Sequence, residues 1–269
     1  MIDPAFPIGA YVHGPRALIE RKASWRFTPF PVRYGLFEHP REGLILVDTG
    51  YTEALFQARG ASIAAYRRLL RPRLDPANLP AARLASLGAT TSDVRHVILT
   101  HLHADHVCGA AAFTRAAFHV TRASLEFLDR ASLVEQHRQA LYKILLPMDF
   151  KDRLSVIDDD GQINSPGELG AGYDIFGDGS CLVVPLPGHM TGHAGVLWPQ
   201  RARPLLYGAD VAWTLTGLLN EPIPPAPLRW ILADRQATIA SARKLSRFAE
   251  AGGEIVLCHD PVPGRDGSP

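Results

Sequence analysis

Residues 95–106 read Arg-His-Val-Ile-Leu-Thr-His-Leu-His-Ala-Asp-His. The half Arg95–Thr100 has the apolar pattern of a buried strand, and it runs without a break into four potential metal ligands. A strand ends at the open rim of a sheet, where side chains can converge. Alternate residues of an extended segment project the same way, so His101 and His103 can bind one ion together. Asp105 and His106 follow as the chain turns toward a helix, and they point to a second position beside the first. Imidazole suits Zn, Fe, Ni and Cu, whereas carboxylates favour harder ions; a mixed set makes Zn²⁺ the default, with Fe, Mn, Co or Ni as alternatives. The competing reading is a polar turn of solvated histidines. Three His and an Asp in HxHxDH order within six residues weigh against it.

One such cluster cannot close two sites, and other strand ends supply further ligands. His189 follows the apolar run Cys181–Leu186 through Pro187-Gly188, Asp210 follows Leu205–Tyr207 through Gly208-Ala209, and Cys258-His259-Asp260 follows Glu254–Leu257. Each alone reads as a cap or a turn. Together with residues 101–106 they form a constellation. Further strand patterns lie at Val32–Phe37, Leu44–Val47, Val94–Thr100, Ala117–Thr121 and Ala194–Trp198. Helical patterns occupy Thr52–Leu70, Pro76–Leu87, Arg122–Arg130, Ser132–Leu146 and Ile231–Ala251, the last closed by Gly252-Gly253. Arg67, Arg68, Arg243 and Lys244 read as solvated helix faces, His96 and His119 as core or satisfied polar residues, and His13, His39 and His137 as surface or rim residues. Strands alternating with helices predict one layered α/β domain over residues 1–269. Two insertions interrupt the scheme, at 133–150 and 213–230. The second, apolar and carrying Pro222, Pro224, Pro225 and Pro227, is too Pro-broken to be a helix and too long for a turn, and reads either as a substrate wall or lid or as a packed surface excursion.

Composition narrows the function classes. The 269 residues are 46% hydrophobic, enough for a sizeable core, and the net charge of +1 offers no field to hold nucleic acid. Three scattered cysteines (Cys108, Cys181, Cys258) make no disulfide framework, and no stretch has 18 uncharged apolar residues, which disfavours a membrane partner and predicts a cytoplasmic protein.

Taken in order, Val-Asp-Thr-Gly with Asp48, the 101–106 cluster, Pro-Gly-His with His189, Gly-Ala-Asp with Asp210 and Cys-His-Asp with His259 resemble the motifs of the metallo-β-lactamase superfamily. The resemblance runs from about residue 32 to 260. It implies a four-layer αββα sandwich, two mixed β-sheets face to face with helices outside and two divalent ions at one sheet edge. His101, His103 and His189 would hold the first ion, Asp105, His106 and His259 the second, and Asp210 would bridge them. Asp48 would orient the ligand loop, and His193, four residues after His189, is a candidate hydrogen-bonding support. Within the superfamily, the Pro-Gly-His-Met-Thr-Gly-His segment is similar to N-acyl-homoserine lactonases and related small ester hydrolases. Those enzymes usually place a Tyr three residues after the bridging Asp, where this chain has Trp213. Cys108-Gly109-Ala110 stands where the family often has two glycines.

Such a pair of ions allows hydroxide attack on a carbonyl, with Asp105 or Asp210 carrying a proton to the leaving oxygen. Trp213, Leu215, Leu218, Leu219, Ile223 and Trp230 are expected to wall an apolar pocket for a small ester or lactone such as an acyl-homoserine lactone; a second copy of the chain is the alternative occupant. Two other readings compete: a mononuclear iron oxygenase of glutathione persulfide, and a non-catalytic metal-binding sensor. The complete ligand set argues against both.

Overall fold

Along Leu182–Pro185, Ala194–Trp198 and Leu205–Ala209 successive side chains face opposite ways, and this alternation builds two layers of core. Val183, Val196 and Tyr207 enter a large cluster shared with Ile45, Val47, Val97 and Phe118 of a second sheet. Leu182, Val184, Leu197 and Leu206 turn the other way, onto Ala242, Leu245 and Phe248 of the helix Arg235–Glu250. The computed structural model describes residues 3–157, 162–166 and 168–261.

The first sheet has six strands, which neighbour one another in chain order: Gln162–Ser165, Gly170–Asp174, Leu182–Pro185, Ala194–Trp198, Leu205–Ala209 and Glu254–Leu257. All its pairs are antiparallel except the last. The second sheet has five: Gly35–His39, Gly43–Val47, His96–Ile98, Ala117–Thr121 and Leu154–Ile157, antiparallel in the first pair and parallel thereafter. Both sheets are mixed, as the αββα expectation requires. A third, three-stranded sheet of Phe27–Arg33, Ile8–Pro15 and Arg73–Leu74 was not expected. Its strands are rich in Gly, Pro and His, which hides the period-2 pattern.

Parallel pairing positions the site. Val47 lies beside Ile98 and Ala209 beside Leu257, so each pair of strands ends together and delivers its next residues to one rim. The first pair brings Asp48 against Thr100, and the second brings Asp210 beside Cys258 and His259. A hydrogen bond from the Ala194 N–H to the Thr100 carbonyl (2.9 Å) ties the rims of the two sheets together.

Several expectations need correction. The Thr52–Leu70 pattern is two helices, Ala54–Gln57 and Ala61–Leu70, separated by an extended Ala58 and by Gly60 at φ 132°. Arg67 is no solvated residue: its guanidinium donates to the carbonyls of Leu55, Phe56 and Ala58, capping the first helix from the second. The 76–87 pattern becomes a helix only from Pro80 to Ser86, and the 132–146 pattern stops at Arg138, just before Ala140 takes a left-handed φ of 44°. Within 213–230 the prolines begin only at Pro222, leaving room for the helix Leu215–Asn220, capped by the Thr214 hydroxyl. His39 is buried and bonded to Asp178. Among the described residues no helix is long and apolar enough to cross a membrane.

Candidate metal centre

The ligand-type residues from four strand ends meet in two buried clusters. In the first, the His101 Nε2 and His189 Nε2 atoms each lie 3.0 Å from His103 Nδ1, and Asp210 Oδ2 is 3.4 Å from His189 Nε2 and 4.0 Å from His101 Nε2. In the second, His259 Nε2 is 3.4 Å from Asp105 Oδ2 and 3.2 Å from Asp210 Oδ2, while His106 Nε2 is 3.8 Å from Asp105 Oδ2 and 3.5 Å from Asp210 Oδ1. Asp210 therefore belongs to both clusters. Donors 2.0–2.1 Å from a tetrahedral ion lie about 3.3–3.4 Å apart, and the spacings here, 3.0–4.0 Å, bracket that value.

The chemistry of these atoms fits cations. His106 Nε2 and Asp210 Oδ1, both facing the second cluster, are buried with no hydrogen-bond partner, a costly arrangement for protein alone. Burial and neighbouring imidazoles hold His101 and His189 well below the usual histidine range, and burial pushes His103 down to about 4, so all three are neutral donors. Burial also opposes the charged forms of His106 and His259. There, surrounding groups outweigh it and hold both well above the usual range: chiefly the carboxylates of Asp48, Asp210 and Asp105 around His106, and the Cys258 sulfur and Asp210 carboxylate around His259. A field that retains a proton on two buried imidazoles is one that attracts a divalent ion.

Each ligand is held by the backbone or a second side chain. The His259 ring donates from Nδ1 to the Pro31 carbonyl at 2.8 Å, leaving Nε2 for the cluster. The His106 Nδ1 lies 2.7 Å from Asp48 Oδ2, and Asp48 also accepts from the Thr100 N–H (2.8 Å) and hydroxyl (2.9 Å). Asp48 is fully buried, sits at φ 61°, and the burial raises its carboxyl above the usual range against the pull of His106. Backbone strain of this kind persists only where surroundings over-determine it. Ala209, immediately before Asp210, is strained in the same way at φ 46°. His193 donates from Nδ1 to the Leu186 carbonyl (2.8 Å) and accepts at Nε2 from the Asp210 N–H (3.2 Å); both nitrogens are used, so it props Asp210 and is unavailable as a ligand.

Asp48→Asn should weaken metal retention about 10–100-fold, because a neutral amide neither offsets the cations nor accepts from Thr100 and His106 equally well. Metal content after dialysis against graded chelator is the measurement, and wild-type retention would remove the role assigned to Asp48.

Two participants escaped the sequence reading. Arg33 is buried and its Nη1 donates to the carbonyls of Cys258 (3.0 Å) and Asp260 (2.6 Å), clamping the loop that carries His259. Cys258 Sγ lies within 4.8 Å of the donor atoms of His106, Asp210 and His259. Arg33 carried no signal, being one arginine in a strand; Cys258 stood beside a proposed ligand.

Over the clusters lies a chamber of about 570 Å³, bordered by His103, Asp105, His189, Asp210 and His259 and walled largely by apolar groups. The Trp213 indole lines it, lying over the His259 ring with centroids 4.3 Å apart. Leu218 and Trp230 do not: Leu218 is buried in the core under Arg235–Glu250, and Trp230 is 58% exposed. Leu215 packs on that core and Leu219 faces outward, as helical periodicity through 215–220 demands. Besides Trp213, the expected segment contributes Leu228, and the rest of the wall comes from Leu69, Leu70, Tyr66, Tyr142 and Ile231.

The sequence profile of the metallo-beta-lactamase superfamily matches residues 27–252. The probable metallo-hydrolase Rv2300c of Mycobacterium tuberculosis is 33% identical over 233 residues, covering 82% of this chain and 72% of that protein. The N-acyl homoserine lactonase AttM of Azorhizobium caulinodans is 28% identical over 241 residues, covering 86% and 82%. Among solved structures, a mutant of AiiA from B. thuringiensis with N-decanoyl-L-homoserine bound at its active site superposes with a TM-score of 0.69 at 21% identity, over 96% of this chain and 92% of that one. With the motif order, the rim of ligands and these likenesses in agreement, the chain belongs to the metallo-β-lactamase superfamily.

Proposed function

We propose that this metallo-hydrolase holds two divalent ions, zinc first among them, and opens small, partly apolar esters or lactones, acyl-homoserine lactones included. One observation carries the reading: two ligand clusters share Asp210 at the floor of an apolar chamber. His101, His103 and His189 would hold one ion, Asp105, His106 and His259 the other, and Asp210 both. Bound there, such ions supply Lewis acidity and lower the pKa of a water to about 7. The protein's own groups do the rest. Asp105 and Asp210 border the chamber and can carry a proton to the leaving oxygen, and the apolar wall excludes water and receives an acyl chain. No Gly-x-Ser-x-Gly nucleophile is present, in keeping with a hydrolytic water.

Of the described residues lining the chamber, Arg138 is the one arginine or lysine, and its Nη1 donates to the Leu232 carbonyl (3.4 Å), so the wall offers a phosphodiester little to grip. Acyl chain length should therefore govern kcat/KM. Each buried CH₂ contributes about 0.8 kcal/mol, so two added methylenes should raise kcat/KM by roughly 10-fold until the chamber is full. Trp213→Ala should flatten that series several-fold. A phosphodiester outrunning every acyl lactone and ester, or a flat series unchanged in Trp213→Ala, overturns the substrate assignment; fewer than two ions per chain on metal analysis overturns the dinuclear one.

A further inference from the structure

We propose that Tyr66 is a catalytic hydrogen-bond donor to the substrate carbonyl oxygen, with Tyr51 as the residue that aims its proton; this deepens the ester or lactone reading above and rests on it. Tyr51 is fully buried, and its hydroxyl is hydrogen-bonded to that of Tyr66. No other hydrogen-bond partner for the Tyr51 hydroxyl exists among the described residues. Two phenols sharing one hydrogen bond use one proton between them. Were Tyr66 the donor, the Tyr51 proton would be sealed in the core without an acceptor, at a cost of about 1–3 kcal/mol. Tyr51 therefore donates, Tyr66 accepts, and Tyr66 keeps its own proton to give.

The place where Tyr66 can give it is the chamber. Tyr66 borders that space together with His103, Asp105, His189 and Asp210, whereas Tyr51 does not. The Tyr142 ring packs edge-on against Tyr66 with centroids 5.3 Å apart, which limits its rotation. No described side chain other than Tyr51 bonds its hydroxyl, so the acceptor is whatever occupies the chamber. A phenol that already accepts one hydrogen bond donates the next more strongly, and the donor is fixed in direction before substrate arrives. Of the other polar-tipped aromatics of the wall, Tyr142 has no hydroxyl partner among the described residues to aim its proton, and Trp213 lies with its ring over His259, its indole carrying a single N–H and no hydroxyl.

The test uses the metal-loaded full chain, its metal content measured in every variant, on an acyl lactone and a nitrophenyl ester of equal acyl length. Tyr66→Phe is expected to lower kcat roughly 10- to 100-fold with KM within about twofold, because the donor acts on charge that develops in the transition state. Tyr51→Phe is expected to lower kcat by a smaller factor, roughly 3- to 10-fold, and to add nothing in the double variant, since it acts only through Tyr66. Calorimetric binding of decanoate, a product-class carboxylate, gives a readout without turnover: Tyr66→Phe should weaken it several-fold and Tyr51→Phe less. An unchanged kcat, a rise in KM alone, or loss of metal in Tyr66→Phe overturns the donor role. Absence of any lactone or ester turnover in the wild type overturns the hydrolase reading instead. In that case equal decanoate affinity in wild type and Tyr66→Phe, or none in either, also removes the donor.

Discussion

Asp210→Asn should leave a folded protein that has lost about 10³-fold or more of its turnover, the largest effect expected from any one change in this chain. Asp210 turns Oδ2 toward His101, His189 and His259 and Oδ1 toward His106, so both oxygens face the clusters as negative groups. An asparagine has one such oxygen and turns N–H donors toward imidazole nitrogens that are already facing inward. One cluster at most stays complete. The backbone does not depend on the side chain, because the N–H of residue 210 still bonds His193 and the strand Leu205–Ala209 stays buried between its neighbours. Steady-state kinetics, metal content and circular dichroism together decide the matter. Wild-type-like activity in Asp210→Asn would end the shared-ligand assignment, and an unfolded variant would show that the carboxylate is structural.

Gly188→Ala is expected to be the most damaging change to the scaffold, destabilising by about 3 kcal/mol or more and releasing His189 from the rim. Gly188 has φ 132°, a conformation that L side chains rarely adopt, and an added Cβ would lie 2.2 Å from the Thr238 nitrogen. That atom belongs to the first turn of Arg235–Glu250, whose Asp234 cap donates its own N–H to the Gly188 carbonyl at 3.0 Å. The backbone cannot yield without moving the helix. Gly192, four residues on, meets the helix Arg122–Arg130 in the same way, with Ser124 Oγ 2.2 Å from where a Cβ would stand. The loop between Gly188 and Gly192 is thus clasped by two helix N-termini, which leaves no room for a side chain at either glycine. Thermal melts and metal retention are the measurements; a melting temperature within a degree or two of wild type would show that the helix moves aside freely.

The candidate metal centre was legible in one dimension because its ligand-type residues sit in short runs at strand ends. The buried-strand pattern of residues 95–100 and the HxHxDH order after it already specify an edge and a chelating geometry, and Gly-His, Ala-Asp and Cys-His after other apolar runs specify the same for three more strands. What holds those ligands was less legible. Asp48 and His193 could be suspected from motif position, but Arg33, which clamps the His259 loop, is separated from it by more than 220 residues and makes its contacts through backbone carbonyls that carry no residue identity.

The chamber wall shows where a one-dimensional reading runs out. An apolar segment after Asp210 was expected to supply it as a block, yet Leu215–Asn220 is helical, so consecutive apolar residues are dealt to different sides: Leu218 to the core and Leu219 to solvent, with Trp213 before them and Leu228 after them left to face the site. Leu69, Leu70, Tyr66 and Tyr142 reach the same space from a helix and a loop far away in the chain. Sequence by itself determined the ligand types, their order and the strand rim that presents them, because those follow from local periodicity and side-chain chemistry. Only the tertiary structure decided which apolar residues face the site and that the Tyr51 and Tyr66 hydroxyls meet, because burial and hydrogen-bond satisfaction depend on what packs against each group from elsewhere in the chain.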